Sequence, residues 1–235
     1  MTEAESLKAN EIDDAWTFKS ASVADKFDAH VREQLPWYDP LSRYVADIAV
    51  CFLPQGGTLY DIGASTGNVT RLMRNDLIAK RAATLSIEPS HDMANLFDGH
   101  GELLVIDGEH IDYARRRPDV AILFLTLMFM RPSERRGFID KLLRSINPGG
   151  AVIIVDKEFI DVGPAAAAFK TALLASKLRA GMDEAAYVKK ELALRGEQRP
   201  TSMREIILMA DAKFEIQEFF RFGEFYGLLL IRQDV

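Results

Sequence analysis

The sequence predicts an α/β fold in which a mostly parallel sheet carries helices on both faces and finishes in an antiparallel closing hairpin. Three observations point there. Short apolar runs that stop at Gly, Pro or Asp-Gly alternate with longer stretches of helical spacing. A glycine-containing turn, Asp61-Ile62-Gly63-Ala64-Ser65-Thr66-Gly67, closes the first of those runs. Near the end of the chain two runs rich in apolar residues flank Arg221–Glu224.

Taken in order, Thr58–Asp61 ends at Gly63, Thr84–Glu88 ends at Pro89 and Glu102–Ile106 ends at Asp107-Gly108. Each reads as a buried strand followed by a turn. Val120–Leu125 and Ala151–Val155 read the same way, the second introduced by the turn Asn147-Pro148-Gly149-Gly150. Between the strands, Asn68–Asp76 and Ser133–Ile146 have helical spacing and serve as crossover helices, with Pro132 at the start of the second. A stretch rich in Ala, Leu and Lys, about 164–195, predicts one or two helices inserted outside the basic sheet, where they shape a substrate pocket. Phe214–Phe220 and Phe225–Ile231 form the closing hairpin, which gives a mixed edge to a parallel sheet. The expectation is one domain over residues 1–235, since a single α/β unit of this length buries a sizeable core.

Composition excludes several function classes. With 48% hydrophobic and 27% charged residues the chain is an ordinary globular sequence rather than a disordered one. Its formal charge of -6 offers no overall attraction to phosphate, so nucleic acid is not supported as a partner. The triplet Arg115-Arg116-Arg117 reads as a solvated charged face. No apolar run is long enough to span a bilayer; the best, Val120–Met130, is closed by Asp119 and Arg131. Glu3, Glu5, Glu11, Asp13 and Asp14 give the N-terminus neither a basic flank nor an apolar core, so a cytoplasmic destination is expected. Cys51, inside Ala49-Val50-Cys51-Phe52-Leu53, is expected as a buried core thiol. His30, His91, His100 and His110 have no compact ligand spacing, so no metal site is expected.

The chemistry concentrates at the strand ends. The turn from Asp61 to Gly67 sits between a strand and a helix, where glycines permit a tight turn and close backbone approach to a ligand. It lacks the middle glycine of the full dinucleotide fingerprint, and a purely structural turn stays open as an alternative. Glu88, 21 residues beyond Gly67 at the end of the second strand, is placed to accept hydrogen bonds from two ribose hydroxyls. Asp107 follows the third strand and faces the same crevice, either as an adenine contact or as a self-satisfied Asp-Gly turn. Leu127-Met128-Phe129-Met130 reads first as core and second as a border of the ligand.

These residues resemble the class I methyltransferases, which bind S-adenosylmethionine on a Rossmann-like sheet, and more narrowly the carboxy-S-adenosylmethionine synthase family. The resemblance extends over most of the chain. Besides residues 61–67, it is carried by Trp16-Thr17-Phe18, Trp37-Tyr38, Arg131-Pro132-Ser133-Glu134-Arg135, Asn147-Pro148-Gly149-Gly150 and Phe225-Tyr226-Gly227. It implies that Tyr38, Gly63, Ala64 and Ser65 contact the amino-acid end of the cofactor, within a cofactor-binding turn that includes Asp61 and Gly67. It also implies that Glu88 binds the ribose and Asp107 the adenine side. In the narrower family an asparagine stands where this chain has Phe124, and a carboxylate-binding arginine stands where it has Lys190, the residue expected to meet the substrate.

The reading that follows is an S-adenosylmethionine-dependent methyltransferase acting on an unidentified small-molecule acceptor. Such an enzyme works mainly by aligning its reactants, which fits the lack of a catalytic triad; Tyr38, Asp156 and Glu158 are the groups available for proton transfer. The alternatives are carboxy-S-adenosylmethionine synthesis from prephenate, weakened because lysine lacks the planar two-pronged geometry of arginine, and a non-catalytic cofactor-binding protein. Homodimerisation is left open.

Overall fold

The computed structural model describes residues 28, 31–32, 34–160, 163–179, 181, 183–194 and 196–233, without the side chains of Ala186, Lys190, Ala193 and Asp211. Trp16-Thr17-Phe18, the acidic N-terminal residues and His30 lie outside the described residues.

Seven strands form one sheet: β1 (Thr58–Ile62), β2 (Ala83–Ile87), β3 (Glu102–Leu104), β4 (Val120–Phe124), β5 (Ala151–Lys157), β6 (Phe214–Phe222) and β7 (Phe225–Arg232). Their spatial order is β3-β2-β1-β4-β5-β7-β6. The first five are parallel, and β7 runs antiparallel to both β5 and β6. The order reverses between β1 and β4, and it is outside the carboxyl ends of strands at such a switch point that open α/β sheets bind ligands.

Central strands covered on both faces should read as continuous apolar runs. β4 does, and β1 does apart from Thr58 and Asp61; every residue in each is buried. Alternate side chains of β4 enter opposite layers. Ala121 and Leu123 join Phe138, Ile139, Leu142 and Leu143 of helix Pro132–Ser145 on one face. Val120, Ile122 and Phe124 join Leu41, Val45 and Ala49 of helix Tyr38–Phe52 on the other. The edge strand β6 has only half-buried and exposed positions, as an outer antiparallel strand with one packed face should. The expected insertion consists of helices Pro164–Arg179 and Glu184–Ala193.

Four expectations change in detail. Residues 68–76 do not form one helix: the chain breaks at Met73 into Asn68–Leu72 and Arg74–Lys80. The third strand stops at Leu104, two residues early. Cys51 is exposed rather than a core thiol. Its apolar neighbourhood is helical, so the sequence rotates by about 100° per residue and turns Cys51 outward while Ala49 and Leu53 face the core. Arg117 is also more than a solvated charge: its guanidinium donates to the carbonyls of Arg144, Ser145 and Ile146, closing the end of helix Pro132–Ser145. No helix among the described residues is long and apolar enough to cross a membrane, and none of their His, Cys, Asp and Glu side chains group as a metal site.

Candidate active site

A cavity of about 740 Å³ opens at the carboxyl ends of the parallel strands. Its floor is the turn after β1. Gly63 has φ +78°, and a Cβ there would lie 2.6 Å from the Thr126 side chain. Thr126 in turn donates to the Ile62 carbonyl at 2.8 Å, so the β1 turn and the end of β4 are packed directly on each other. Ser65 also sits at positive φ. The amides of Gly63 and Ala64 both donate to the Ile87 carbonyl, locking the turn to β2. Gly63, Ala64 and Ser65 all line the cavity. Gly67 is not on the wall; it stands at φ +84° where a Cβ would strike the Gly99 backbone.

Glu88, 6% exposed, lines the wall at the end of β2. One carboxylate oxygen accepts the Ser65 N–H and the other the Ser90 N–H, each at 2.8 Å. Burial pushes its pKa up while these two donors pull it down. Each oxygen keeps further lone-pair capacity, so the clamp and a role toward hydroxyl groups are compatible. Asp61 is 2% exposed, lines the cavity, and has one carboxylate oxygen, Oδ2, with no hydrogen-bond donor among the described residues. Burial, followed by the nearby Glu88 charge, pushes its pKa from 3.8 to about 7. A buried acceptor without a donor is costly, and here it belongs to a residue that lines a cavity.

Asp107 lies at the solvent-facing edge of the wall, 67% exposed, with His110 Nδ1 4.0 Å from its carboxylate. Tyr38 forms part of the wall near the glycine turn and packs edge-on against Phe124 with ring centroids 5.5 Å apart. Burial, then the Asp28 charge, raises its pKa well above the usual phenol range, so at neutral pH it is a hydrogen-bonding group and not a base. The structure therefore brings Tyr38, Asp61, Gly63, Ala64, Ser65, Glu88 and Asp107 to one cavity.

The two other proton-transfer candidates are engaged elsewhere. Asp156 is fully buried and accepts the backbone N–H groups of Leu127, Met128 and Lys157, so it braces the loop after β4. Glu158 pairs with Arg221. Neither belongs to the cavity wall. The side chain of Lys190 lies outside the described residues. Its neighbour Glu191 does reach the wall, and its carboxylate is 3.7 Å from Lys177 Nζ. Lys157, also on the wall, pairs with Glu224 at 3.4 Å.

Several wall residues had no signal in the sequence. Val31, Gln34 and Leu35 arrive from the segment before Tyr38, and Lys177 and Arg199 from the region around the inserted helices. The Leu127–Met130 stretch serves both readings: Leu127 and Met128 are buried core, while Met128, Phe129 and Met130 also line the cavity.

Comparison with known proteins fits this geometry. A family model described as a methyltransferase domain matches residues 60–154, which run from β1 into β5. A carboxy-S-adenosyl-L-methionine synthase from Staphylococcus epidermidis is 27% identical over 222 residues, 92% of this chain and 97% of the relative. Among solved structures, an O-methyltransferase family protein from Burkholderia thailandensis superposes with a TM-score of 0.63 at 19% identity. That match covers 91% of this chain and 60% of the other. A magnesium protoporphyrin IX methyltransferase from Synechocystis PCC 6803 with bound S-adenosylhomocysteine superposes with a TM-score of 0.58 at 14% identity, covering 86% of each chain. The fold is the Rossmann-like fold of methyltransferases.

Proposed function

We propose that this chain, which carries the fold and the domain of S-adenosylmethionine-dependent methyltransferases, transfers a methyl group from S-adenosylmethionine to a small-molecule acceptor held in the same cavity. The observation that carries the reading is the unpartnered buried Asp61 carboxylate oxygen on the floor of a cavity also walled by the Gly63 turn, Glu88 and Asp107. Asp61 and Ser65 take the amino-acid end, with Asp61 facing its ammonium group. Glu88 offers acceptor capacity to the ribose hydroxyls, and Asp107 borders the adenine. When bound, the cofactor supplies an electrophilic methyl group on a positively charged sulfur.

The protein's own part is then placement. Tyr38 and Phe124 form an apolar, aromatic wall beside the turn, and Met128, Phe129 and Met130 keep water from that side. Holding donor and acceptor in line supplies much of the rate in such transfers. Calorimetry with S-adenosylhomocysteine tests the reading: saturable binding in the micromolar range is expected, and no saturable heat from folded protein overturns it.

The second reading, carboxy-S-adenosylmethionine synthesis, is favoured by the length and coverage of the match to the Staphylococcus epidermidis relative. The cavity favours it less. From helix Glu184–Ala193 the wall receives the carboxylate of Glu191, which occupies the Lys177 ammonium.

A further inference from the structure

Six buried side-chain atoms lack a hydrogen-bond partner among the described residues: Gln34 Oε1, Trp37 Nε1, Asp61 Oδ2, Thr84 Oγ1, Ser86 Oγ and the Tyr113 hydroxyl. Of the residues that carry them, Gln34 and Asp61 line the cavity. Both of their atoms are acceptors, and both residues are more than nine-tenths buried, Gln34 at 7% exposure. Burying an acceptor without a donor is unfavourable, so two of them on one cavity wall point to a ligand that brings several N–H groups.

The segment that carries Gln34 is tied to the glycine-turn end of the cavity. Asp28 accepts the Thr66 hydroxyl at 2.8 Å and lies 3.6 Å from the Arg71 guanidinium. Arg32 reaches Asn68 Oδ1 at 3.4 Å. The backbone then passes through Leu35, whose N–H donates to Val31, to Tyr38, whose N–H donates to Leu35. Val31, Gln34, Leu35 and Tyr38 consequently share the wall, and Tyr38 is close enough to Asp61 for the carboxylate to disfavour its ionisation.

We propose that Gln34 is a second acceptor for the ammonium group at the amino-acid end of S-adenosylmethionine, working beside Asp61. An alkylammonium has three N–H donors and no acceptor, which matches a carboxylate oxygen and an amide oxygen that both lack donors. The assignment rests on the cofactor reading above and adds to it a binding residue outside the glycine turn, contributed by the wall residues that precede Tyr38.

The experiment compares two ligands on the full chain by calorimetry: S-adenosylhomocysteine, and 5′-methylthioadenosine, which keeps the adenine, ribose and sulfur but lacks the amino-acid end. Gln34→Met should weaken S-adenosylhomocysteine about tenfold and leave 5′-methylthioadenosine within about twofold of wild type. Gln34→Glu, which keeps an oxygen acceptor, should bind S-adenosylhomocysteine far better than Gln34→Met does. Equal S-adenosylhomocysteine affinity in wild type and Gln34→Met overturns the proposal. So does an equal loss for both ligands, which marks a packing role, and so does a Gln34→Glu protein as weak as Gln34→Met. If wild-type protein binds neither ligand, the cofactor reading itself falls, a result distinct from a wild type that binds and a Gln34→Met variant that binds equally well.

Discussion

The carboxylate of Glu88 accepts the backbone N–H of Ser65 at 2.8 Å, joining the turn after β1 to the end of β2 across 23 positions of sequence. Under the proposed function the bond gives Glu88 two duties, since the group proposed for the ribose also holds the turn proposed for the amino-acid end. Replacing Glu88 with Ala should therefore weaken S-adenosylhomocysteine by roughly 1–3 kcal/mol and lower the melting temperature as well. Calorimetry and thermal unfolding read the two effects separately. A variant with wild-type affinity and lowered stability would assign Glu88 to the clamp alone.

Gly63 makes a second prediction. Alanine there must adopt a left-handed backbone at φ +78° and bring its Cβ to 2.6 Å from Thr126. Strain and overpacking together should cost roughly 2–4 kcal/mol. Thr126→Ala removes the clashing atoms but not the backbone strain, so the double variant Gly63→Ala/Thr126→Ala should recover only part of the loss. Denaturant unfolding of the four proteins in the cycle measures this, and strictly additive losses would show that the two residues do not press on each other.

The parts of this architecture that could be read in the sequence are those written in local pattern. β1 and β4 are buried on both faces, so Leu59 or Ile122 needs only to be apolar, and Gly63 marks where β1 stops while Asp119 marks where β4 begins. The alignment of Gly63, Glu88 and Asp107 follows from parallel strands, which bring every carboxyl end to one edge. What could not be read depends on rotation or on distant partners. Cys51 faces solvent because of its helical phase, and Met73 ends a helix that has no Gly or Pro to announce the break. The Lys177–Glu191 pair needs two helices to fold back on each other, and Gln34 is a single amide in a polar stretch whose meaning comes only from the cavity it reaches. Asp156 stands beside the end of a strand, a typical place for a catalytic acid, yet its oxygens are taken by the backbone of Leu127, Met128 and Lys157.

Asp61 predicts a pH dependence of opposite sign for stability and for binding. Its pKa in the folded protein is raised from 3.8 to about 7, first by burial and then by Glu88. The native state thus holds a proton that the unfolded chain releases, and Asp61's contribution to stability is full below about pH 4 and lost as pH rises through about 7. Binding of a cationic amino group needs the ionised carboxylate, so S-adenosylhomocysteine affinity should fall as pH drops from about 8 to about 6. Asp61→Asn isolates the residue from other buried carboxylates, Glu88 and Asp156 among them. It should bind more weakly at pH 8, flatten the affinity profile and remove this share of the stability slope. An Asp61→Asn protein with the wild-type affinity profile would place the titrating group elsewhere.

The choice between the two chemistries turns on what greets a carboxylate in the cavity. Lys177 faces Glu191 at 3.7 Å and Lys157 faces Glu224 at 3.4 Å, so each wall lysine already has an anionic partner. Introducing another carboxylate beside Glu191 sets like charges together, and a lysine offers a point charge rather than a two-pronged fork. Incubation with S-adenosylmethionine and prephenate should consequently yield no carboxylated cofactor above a protein-free control, as read by mass spectrometry. Rapid prephenate-dependent formation of that product would reverse the preference and require a cation that does hold the carboxylate. The structure supplies one candidate in Arg199, a wall residue whose backbone N–H is fixed to the Met128 carbonyl at 2.7 Å. In that event Arg199→Met and Lys190→Ala decide between the two: loss of product in the first alone would assign the carboxylate to Arg199, and loss in the second alone would assign it to the lysine that the resemblance singled out.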